Sequence, residues 1–509
     1  MERLRGRTRR RHLPLIVGIL ALATFLRLYH SPSAPPGLHH DEAMNGNNCL
    51  ENLETGHFSV FYPENMGREG LYINVAALFV RFLGNTAWAL RLPAAIFGVA
   101  TVWGVYLLGR ELFSPPIGLL AAFFTATSFW HLVFSRLALR AIAAPMFLTF
   151  GLYLLLVGMR RARDGRPAIG TMLLAGLVYG LGFHTYIAYR ATPVLAGVVL
   201  LHGYSCLRQQ GRTGAFWLAC LSFCAATAAV CAPLALYFIQ HPYAFVERAW
   251  QISVAHNPHP VWEVVLNTWR TARMFFRRGD LDWVHNRPYR AEVFWPVATL
   301  FALGIVVAVV ELWRRGRSRR EGRFPYVLVF VWMVVAAVPA ILSDWILPNA
   351  LRSILLIPPT FILAAVGSDR ACSFLSARVP RAILGPLAIG LLLVLAYEPY
   401  HTYFDGWACD PRLVAAMETG GVRVAEKVNA LPRGTPKVIA VRGAGPMHNG
   451  LPVEALPIQY LTRSYTRSQQ QSAHIRYVSL RTFSAPPGVD FCQAASASLP
   501  GGAAVFCLE

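Results

Sequence analysis

The sequence predicts an α-helical polytopic membrane protein with about eleven transmembrane helices and a small external C-terminal α/β domain. Three observations carry that expectation. Hydrophobic residues make up 55% of the chain and charged residues 14%, with a mean hydropathy of +0.42, whereas roughly a quarter of the residues in a soluble domain carry charge. Apolar runs near the roughly twenty residues a spanning helix needs recur through residues 1–398. Over 399–509 those runs stop, and short apolar stretches alternate with Pro and Gly turns.

The first run, 13–29, follows the basic segment MERLRGRTRRRH. A basic segment before an apolar core also describes a signal peptide. This run is longer than a usual signal core, and SPSAPPG places prolines where small cleavage residues belong, so an uncleaved helix is expected. Residues 30–70 form the first external loop, and 71–83, apolar but short, reads as a helix lying at the membrane interface. The remaining runs fall at 87–109, 116–134, 141–158, 168–187, 191–207, 216–239, 291–312, 324–342, 350–367 and 381–398, with a second external piece at 240–290. No internal repeat is visible. In the tail, PKVIAVRG, LPIQYLTRS and IRYVSLRTF read as short strands.

A net charge of +21 raises the question of nucleic acid. Its arginines, however, sit in short segments between apolar runs, which is the footprint of membrane orientation. MERLRGRTRRRH, MRRARDGRP, LRQQGR, ELWRRGRSRREGR and SDRACSFLSARVPR all fall on one side if each run crosses once. The positive-inside rule makes that side the cytoplasm. The expected protein is thus multi-pass in the cell inner (cytoplasmic) membrane, with a cytoplasmic N-terminus, an external C-terminal domain and no nucleic-acid partner. Cys220, Cys224 and Cys231 recur at helical spacing and suit packing rather than metal binding. Cys49, Cys409, Cys492 and Cys507 all lie outside, where a Cys492–Cys507 disulfide could form.

Only 26 residues are acidic, yet PPGLHHDEAMNGNNCLENLETGHFSVFYPENMGREG, Pro35 to Gly70, gathers Asp41, Glu42, Glu51, Glu54, Glu64 and Glu69 in one loop. Ionisable groups at membrane depth are costly and usually functional. Five polar groups gather on the external side: His39 to Glu42; Glu64, Arg68 and Glu69; Arg136 and Arg140; His184, Tyr186, Tyr189 and Arg190; and Asp344, Asn349 and Arg352. Arg136 with Arg140, and Tyr186 with Arg190, are spaced to share a helix face. Such a set suits a sugar delivered on a lipid phosphate: guanidinium groups hold the phosphate oxygens while a carboxylate removes the proton of an attacking hydroxyl. The leaving group is a stabilised phosphate, so no nucleotide is needed, and the chain has no GxxxxGK[ST] loop.

Each group also has a plainer reading. An Asp–Glu pair in a loop is commonly solvated, arginines at helix ends snorkel, and YIAYR fits an aromatic belt. His39 and His40 fit loop surface better than metal ligands, and Glu64 and Glu69 can simply pair with Arg68. The competing class is a transporter or flippase for a lipid-linked or anionic solute, which should carry charged or broken segments near the midplane in both halves. Here the charges sit at the ends of the runs. A membrane-anchored assembly or sensor protein would rest on the tail alone.

HHDEAMNGNNCLENLETG, followed by NMGREGLYINVAALFVRFLGNTAWALRLPAAIFGVATVWGVYLLGRELF, resembles the membrane glycosyltransferases of the GT-C fold. The similar branch holds protein O-mannosyltransferases, the aminoarabinose transferases of lipid A and bacterial dolichyl-phosphate-mannose-type enzymes. Its motifs stand here as Asp41–Glu42, Arg91–Leu92–Pro93 and Gly109 to Phe113, and the resemblance spans roughly 10–370, strongest up to about 195. It implies a polyprenyl-phosphate sugar donor, a lipid, glycan or protein acceptor at the outer surface, and inversion with Asp41 as general base and Glu42 in support. Arg190 and Arg352 match basic positions near the lipid phosphate. His40, Glu64, Arg68, Glu69, Arg136, Arg140, His184, Tyr186 and Tyr189 complete the candidate substrate-binding set. Some relatives use a divalent ion, but no residue here indicates a metal or cofactor. ENMGREG stands where the aminoarabinose and mannosyl subgroups tend to show Lys–Pro–Pro, which leaves sugar and acceptor open.

Overall fold

The computed structural model describes residues 2–314, 320–344, 347–479, 492 and 503–508. Residues 315–319 of the basic segment ELWRRGRSRREGR, Trp345 and Ile346 of SDWILPNALRS, and 480–483 of IRYVSLRTF lie outside them.

Every predicted apolar run is helical. In chain order the helices are α1 (Glu2–Leu28), α2 (His40–Thr55), α3 (Leu71–Leu83), α4 (Ala87–Leu112), α5 (Pro115–Ala126), α6 (Phe129–Phe134), α7 (Ala143–Arg163) and α8 (Ile169–Gly182). Then follow α9 (Pro193–Gln209), α10 (Thr213–Gln240), α11 (Pro242–Gln251), α12 (Pro260–Met274), α13 (Trp295–Trp313), α14 (Arg320–Ile341), α15 (Ile357–Ser376) and α16 (Arg381–Tyr400). Among the described residues, seven helices are long and apolar enough to cross a membrane, while the helical segments at 12–28, 71–83, 115–126 and 169–182 are apolar but shorter.

Local chemistry sets the breaks. The run 116–134 is two helices because Ser128 caps α6, its hydroxyl accepting from His131 N at 3.3 Å. The run 168–187 stops at Gly182, where a Cβ would meet the Tyr189 ring at 2.0 Å, and Ile187–Ala191 continues as a 3₁₀ turn. In α13 and α15, a Cβ on Gly304 would lie 1.9 Å from Leu363 O and one on Gly367 2.0 Å from Leu300 O. Small residues allow such close backbone approach, from which helix packing in lipid draws its dispersion energy.

The loop after α1 is ordered. It holds α2 and a two-residue antiparallel pair, β1 (Phe61–Tyr62) with β2 (Arg68–Glu69), and leads into α3.

After α16 a π-helical turn, His401–Trp407, precedes α17 (Pro411–Ala416) and α18 (Thr419–Ala430). Beyond them lie β3 (Lys437–Val441), β4 (Met447–His448), β5 (Leu451–Pro452), α19 (Leu456–Thr462), α20 (Arg467–Ala473), β6 (Ile475–Ser479) and β7 (Ala504–Leu508). A parallel sheet in the order β6-β3-β7 pairs Ile439 with Tyr477 and Phe506. PKVIAVRG and the first part of IRYVSLRTF are the expected strands, and Cys492 and Cys507 form a disulfide.

LPIQYLTRS, expected as a strand, is helix α19. Its every-other-residue pattern arises because the helix is buried on two sides. Leu456 and Tyr460, one turn apart, join the main core, while Ile458 joins the separate small core of Val424, Val428, Ile439 and Leu508. Pro457, fixed in φ at the first turn, starts the helix. Through α19 the C-terminal unit sits on α2: a Cβ on Gly46 would be 2.6 Å from the Tyr460 ring, and Asn47 Nδ2 donates to Leu456 O at 3.2 Å.

Candidate functional site

The site is built around the start of α2. His39 is its N-cap in extended conformation, with its ring accepting from Asp41 N and the Glu42 side chain accepting from His39 N, a capping box made with His. The two acids that follow suit the positive end of a helix, but their environments differ.

Glu42 is fully buried. Arg91, from the Arg–Leu–Pro motif on α4, grips it with two bonds, Nε to Oε1 at 2.8 Å and Nη2 to Oε2 at 2.7 Å. Ala138 N donates to Oε1 at 2.7 Å, and Arg91 also reaches Pro35 O and Gly37 O. Both Glu42 oxygens are thus engaged within the protein, in a strut that ties the loop to α4.

Asp41 instead faces a cavity of about 30 Å³ whose walls include Asn65, Arg68, Arg140, Tyr186 and Arg248. Asn65 Nδ2 donates to Asp41 Oδ1 at 2.7 Å. Burial opposes the charge of Asp41, but His39, His40, Arg248 and the Asn65 bond outweigh it and hold the pKa down to about 2. Asp41 is an ionised carboxylate at every physiological pH.

The other acids of the loop are paired. Glu64 takes Arg68 Nη2 at 3.3 Å, while Arg68 also donates to Asn45 and Asn48 at 2.7 and 2.6 Å. Glu69 pairs not with Arg68 but with Arg140 at 3.1 Å and Arg190 at 3.3 Å. Arg190 further donates to Phe245 O on α11.

Of the expected set, the structure brings Asp41, Arg68, Arg140 and Tyr186 to one cavity, with Glu64, Glu69 and Arg190 one ion pair away. Arg352 follows the cavity-wall residue Leu351, in a turn held by Asp280 Oδ2 accepting from Ala350 N at 2.7 Å. Three residues lie elsewhere. Arg136 and Arg140 do not share a face, because α6 ends at Phe134. Arg136 donates to the Leu26 carbonyl in the last turn of α1 and to the Tyr29 and Ala34 carbonyls in the chain that follows. His184 Nε2 bonds Val230 O at 2.9 Å, and Tyr189 is buried against Tyr179 and Phe183.

Sequence reasoning missed Asn65, Arg248 and Glu418. Arg248 lies on α11, whose amphipathic pattern was legible. Glu418, 378 positions from His40, left no local signal; His40 Nδ1–H donates to its Oε1 at 2.5 Å. His39, His40 and Glu418 offer metal-ligand atoms within 4.8 Å of one another. Ligand atoms around a tetrahedral ion with bonds of about 2.0–2.1 Å stand roughly 3.3 Å apart. A 2.5 Å contact is a hydrogen bond, and the residues as placed do not form a metal cage.

Residues 71–239 match the family model of dolichyl-phosphate-mannose-protein mannosyltransferase. No curated protein matches the sequence. Among solved structures, ArnT from Cupriavidus metallidurans bound to undecaprenyl phosphate is similar at 15% identity and a TM-score of 0.55, covering 92% of this chain and 90% of that one. The Archaeoglobus fulgidus oligosaccharyltransferase tethered to an acceptor peptide is similar at 13% identity and a TM-score of 0.52, over 91% of this chain and 63% of that one. The archaeal oligosaccharyltransferase AglB from the same organism, in complex with an inhibitory peptide and a dolichol-phosphate, gives 13% identity and 0.50, over 92% and 69%. The chain therefore spans a little under two thirds of the peptide-tethered oligosaccharyltransferase. With the helical body, the ordered loop after α1 and the small C-terminal sheet unit, these likenesses show that the chain has the GT-C fold of membrane glycosyltransferases.

Proposed function

We propose that the protein transfers a sugar from a polyprenyl-phosphate donor to an acceptor hydroxyl at the outer face of the cytoplasmic membrane, inverting the anomeric carbon, with Asp41 as general base. The observation that carries this reading is the division of labour among the acids. Glu42, Glu64 and Glu69 are held in ion pairs, whereas Asp41 faces a cavity walled by Arg68, Arg140 and Arg248. The match of 71–239 to a mannosyltransferase family and the undecaprenyl phosphate bound by the structurally similar ArnT support the donor class.

In the step, the acceptor oxygen forms a bond to the anomeric carbon as the bond from that carbon to the phosphate oxygen breaks. The electron pair leaves with the phosphate, and the hydroxyl proton passes to Asp41. Arg140 and Arg248, with Arg352 adjoining, receive the phosphate charge. Glu42 fixes the loop through Arg91, a supporting role. A cavity of about 30 Å³ has room for about one water, so the donor enters by displacing a wall. Helix α11, which carries Arg248, has no buried residue and is the wall we assign to that movement.

The test is release of free polyprenyl phosphate from a labelled lipid-linked sugar by the purified protein, dependent on added acceptor. Movement of intact lipid-linked sugar across a vesicle without release would identify a flippase instead.

A further inference from the structure

The C-terminal unit also meets the start of α2. Leu38 N donates to Met417 O at 2.9 Å, and Gly37, at φ +67°, has no room for a side chain because a Cβ would lie 2.1 Å from Met417 O. The next residue, Glu418, adopts φ 51° and ψ 42°, the left-handed region. That conformation is disfavoured for a residue with a Cβ, and here it accompanies the bond of the Glu418 carboxylate to His40.

We infer that Glu418 is a positioning residue for the proposed site: it holds His40 as an imidazolium beside Asp41, so that the C-terminal unit completes the site. The inference rests on Asp41 being the base. His40 has Glu418 at Nδ1 and Asp41 next in the chain. The surrounding charges are consistent with this. Asp41 and Glu42 lie on the same helix, Glu42 being neutralised by Arg91; Glu418 and Glu454 come from the C-terminal unit. Arg248 on α11 and Asp282 and His285 after α12 face Asp41 and His39. Burial opposes the charge of His40, but Glu418, Asp41 and Glu454 outweigh it and raise its pKa above the ordinary value. Burial and the His40 charge lower the pKa of His39, whose ring lies 3.9 Å from that of His40 at a tilt of 36°, to about 4, so His39 gives up its charge first.

The sign follows. With a raised pKa, the imidazolium is kept to higher pH than that of an ordinary histidine and is lost as pH rises through the folded value. Transfer should then show a basic limb above the ordinary histidine range. In E418Q that limb should move down by about one pH unit or more, since an opposite charge within hydrogen-bond reach shifts a pKa by about that much. E418D should restore part of it, and H40Q should abolish it. Independently of activity, NMR titration of histidine-labelled protein, with the His40 signal assigned through H40Q, should give a lower midpoint in E418Q than in wild type. Equal midpoints would overturn the inference. So would stoichiometric zinc or manganese in purified protein that is lost in E418Q, because that would make the three residues a metal site. If wild type releases no polyprenyl phosphate, the transferase reading fails while the His40 titration still decides the pairing.

Discussion

Replacing Arg91 with Ala should be among the most damaging single changes in the protein, though Arg91 lies behind Asp41 rather than in its cavity. Glu42 has no exposed surface. With the guanidinium gone, its carboxylate keeps only the N–H groups of Ala138 and His39, at 2.7 and 3.3 Å. Removing one partner of a buried ion pair costs about 3–5 kcal/mol because the other charge stays uncompensated. The carbonyls of Pro35 and Gly37, at 2.8 and 2.9 Å from Arg91, also lose a charged donor, at about 1 kcal/mol each. The expected total is about 5–7 kcal/mol. The double variant E42Q/R91M, which removes both charges, should recover about half of it. Reversible SDS titration in mixed micelles, followed by tryptophan fluorescence, measures both, and limited proteolysis of the 30–70 loop reports whether α2 has come loose. An R91A cost within about 1 kcal/mol of wild type, or a double variant as damaging as the sum of the singles, would refute the strut.

D41N should lower the rate of polyprenyl phosphate release by about 10²-fold or more while binding of labelled donor persists; release at the wild-type rate would remove Asp41 as base. Because its pKa is held at about 2, the Asp41 charge contributes stability that is present above the ordinary carboxylate value and lost as pH falls towards 2, so D41N should flatten that part of an acid-unfolding curve. R140A and R248A should each weaken binding of labelled undecaprenyl phosphate about tenfold, with Lys restoring only part because it lacks the bidentate fork; unchanged affinity in both would assign them to structure. Gly46→Leu, forced against the Tyr460 ring, should undock the C-terminal unit and expose the segment before β3 to protease, and an unchanged digest would show that α19 yields without undocking.

The membrane body was legible because each run obeys one rule, apolar side chains over the length of a spanning helix. The breaks within runs were less so, since Ser128 and Gly182 act through a cap and a ring contact, not through hydropathy. Strand-like alternation in LPIQYLTRS misled because Leu456 and Ile458 answer to two different cores, a fact of tertiary structure. Within the site, Asp41, Arg68 and Arg140 come from segments whose charges already looked misplaced in an apolar chain. Arg136 carried the same signal but is engaged by the carbonyls of Leu26 in the last turn of α1 and of Tyr29 and Ala34 just beyond it, because a guanidinium at a helix end reads alike in both roles. The pairing of Glu69 with Arg140 and Arg190 rather than with its near neighbour Arg68 follows from their place in β2, where successive side chains point to opposite faces. Glu418 could not be found by any local pattern, since what matters is where the tail returns.

A carboxylate held at a pKa of about 2 is a weak base, and general-base efficiency rises as the pKa approaches the working pH. Asp41 is nonetheless suited to the proposed step if the bond to phosphate breaks ahead of proton transfer. The anomeric carbon then carries positive charge, as in other glycosyl transfers through oxocarbenium-like states, and a fixed negative charge stabilises it more than a neutral acid would. The acceptor hydroxyl becomes strongly acidic only once its oxygen has begun to bond to that carbon, and at that point even a weak base can take the proton. Arginines that receive the departing phosphate lower the barrier to the early step, and the cations around Asp41 guarantee its charge. In the proposed reaction the arginines of this cavity therefore act on leaving-group departure, and proton removal follows it.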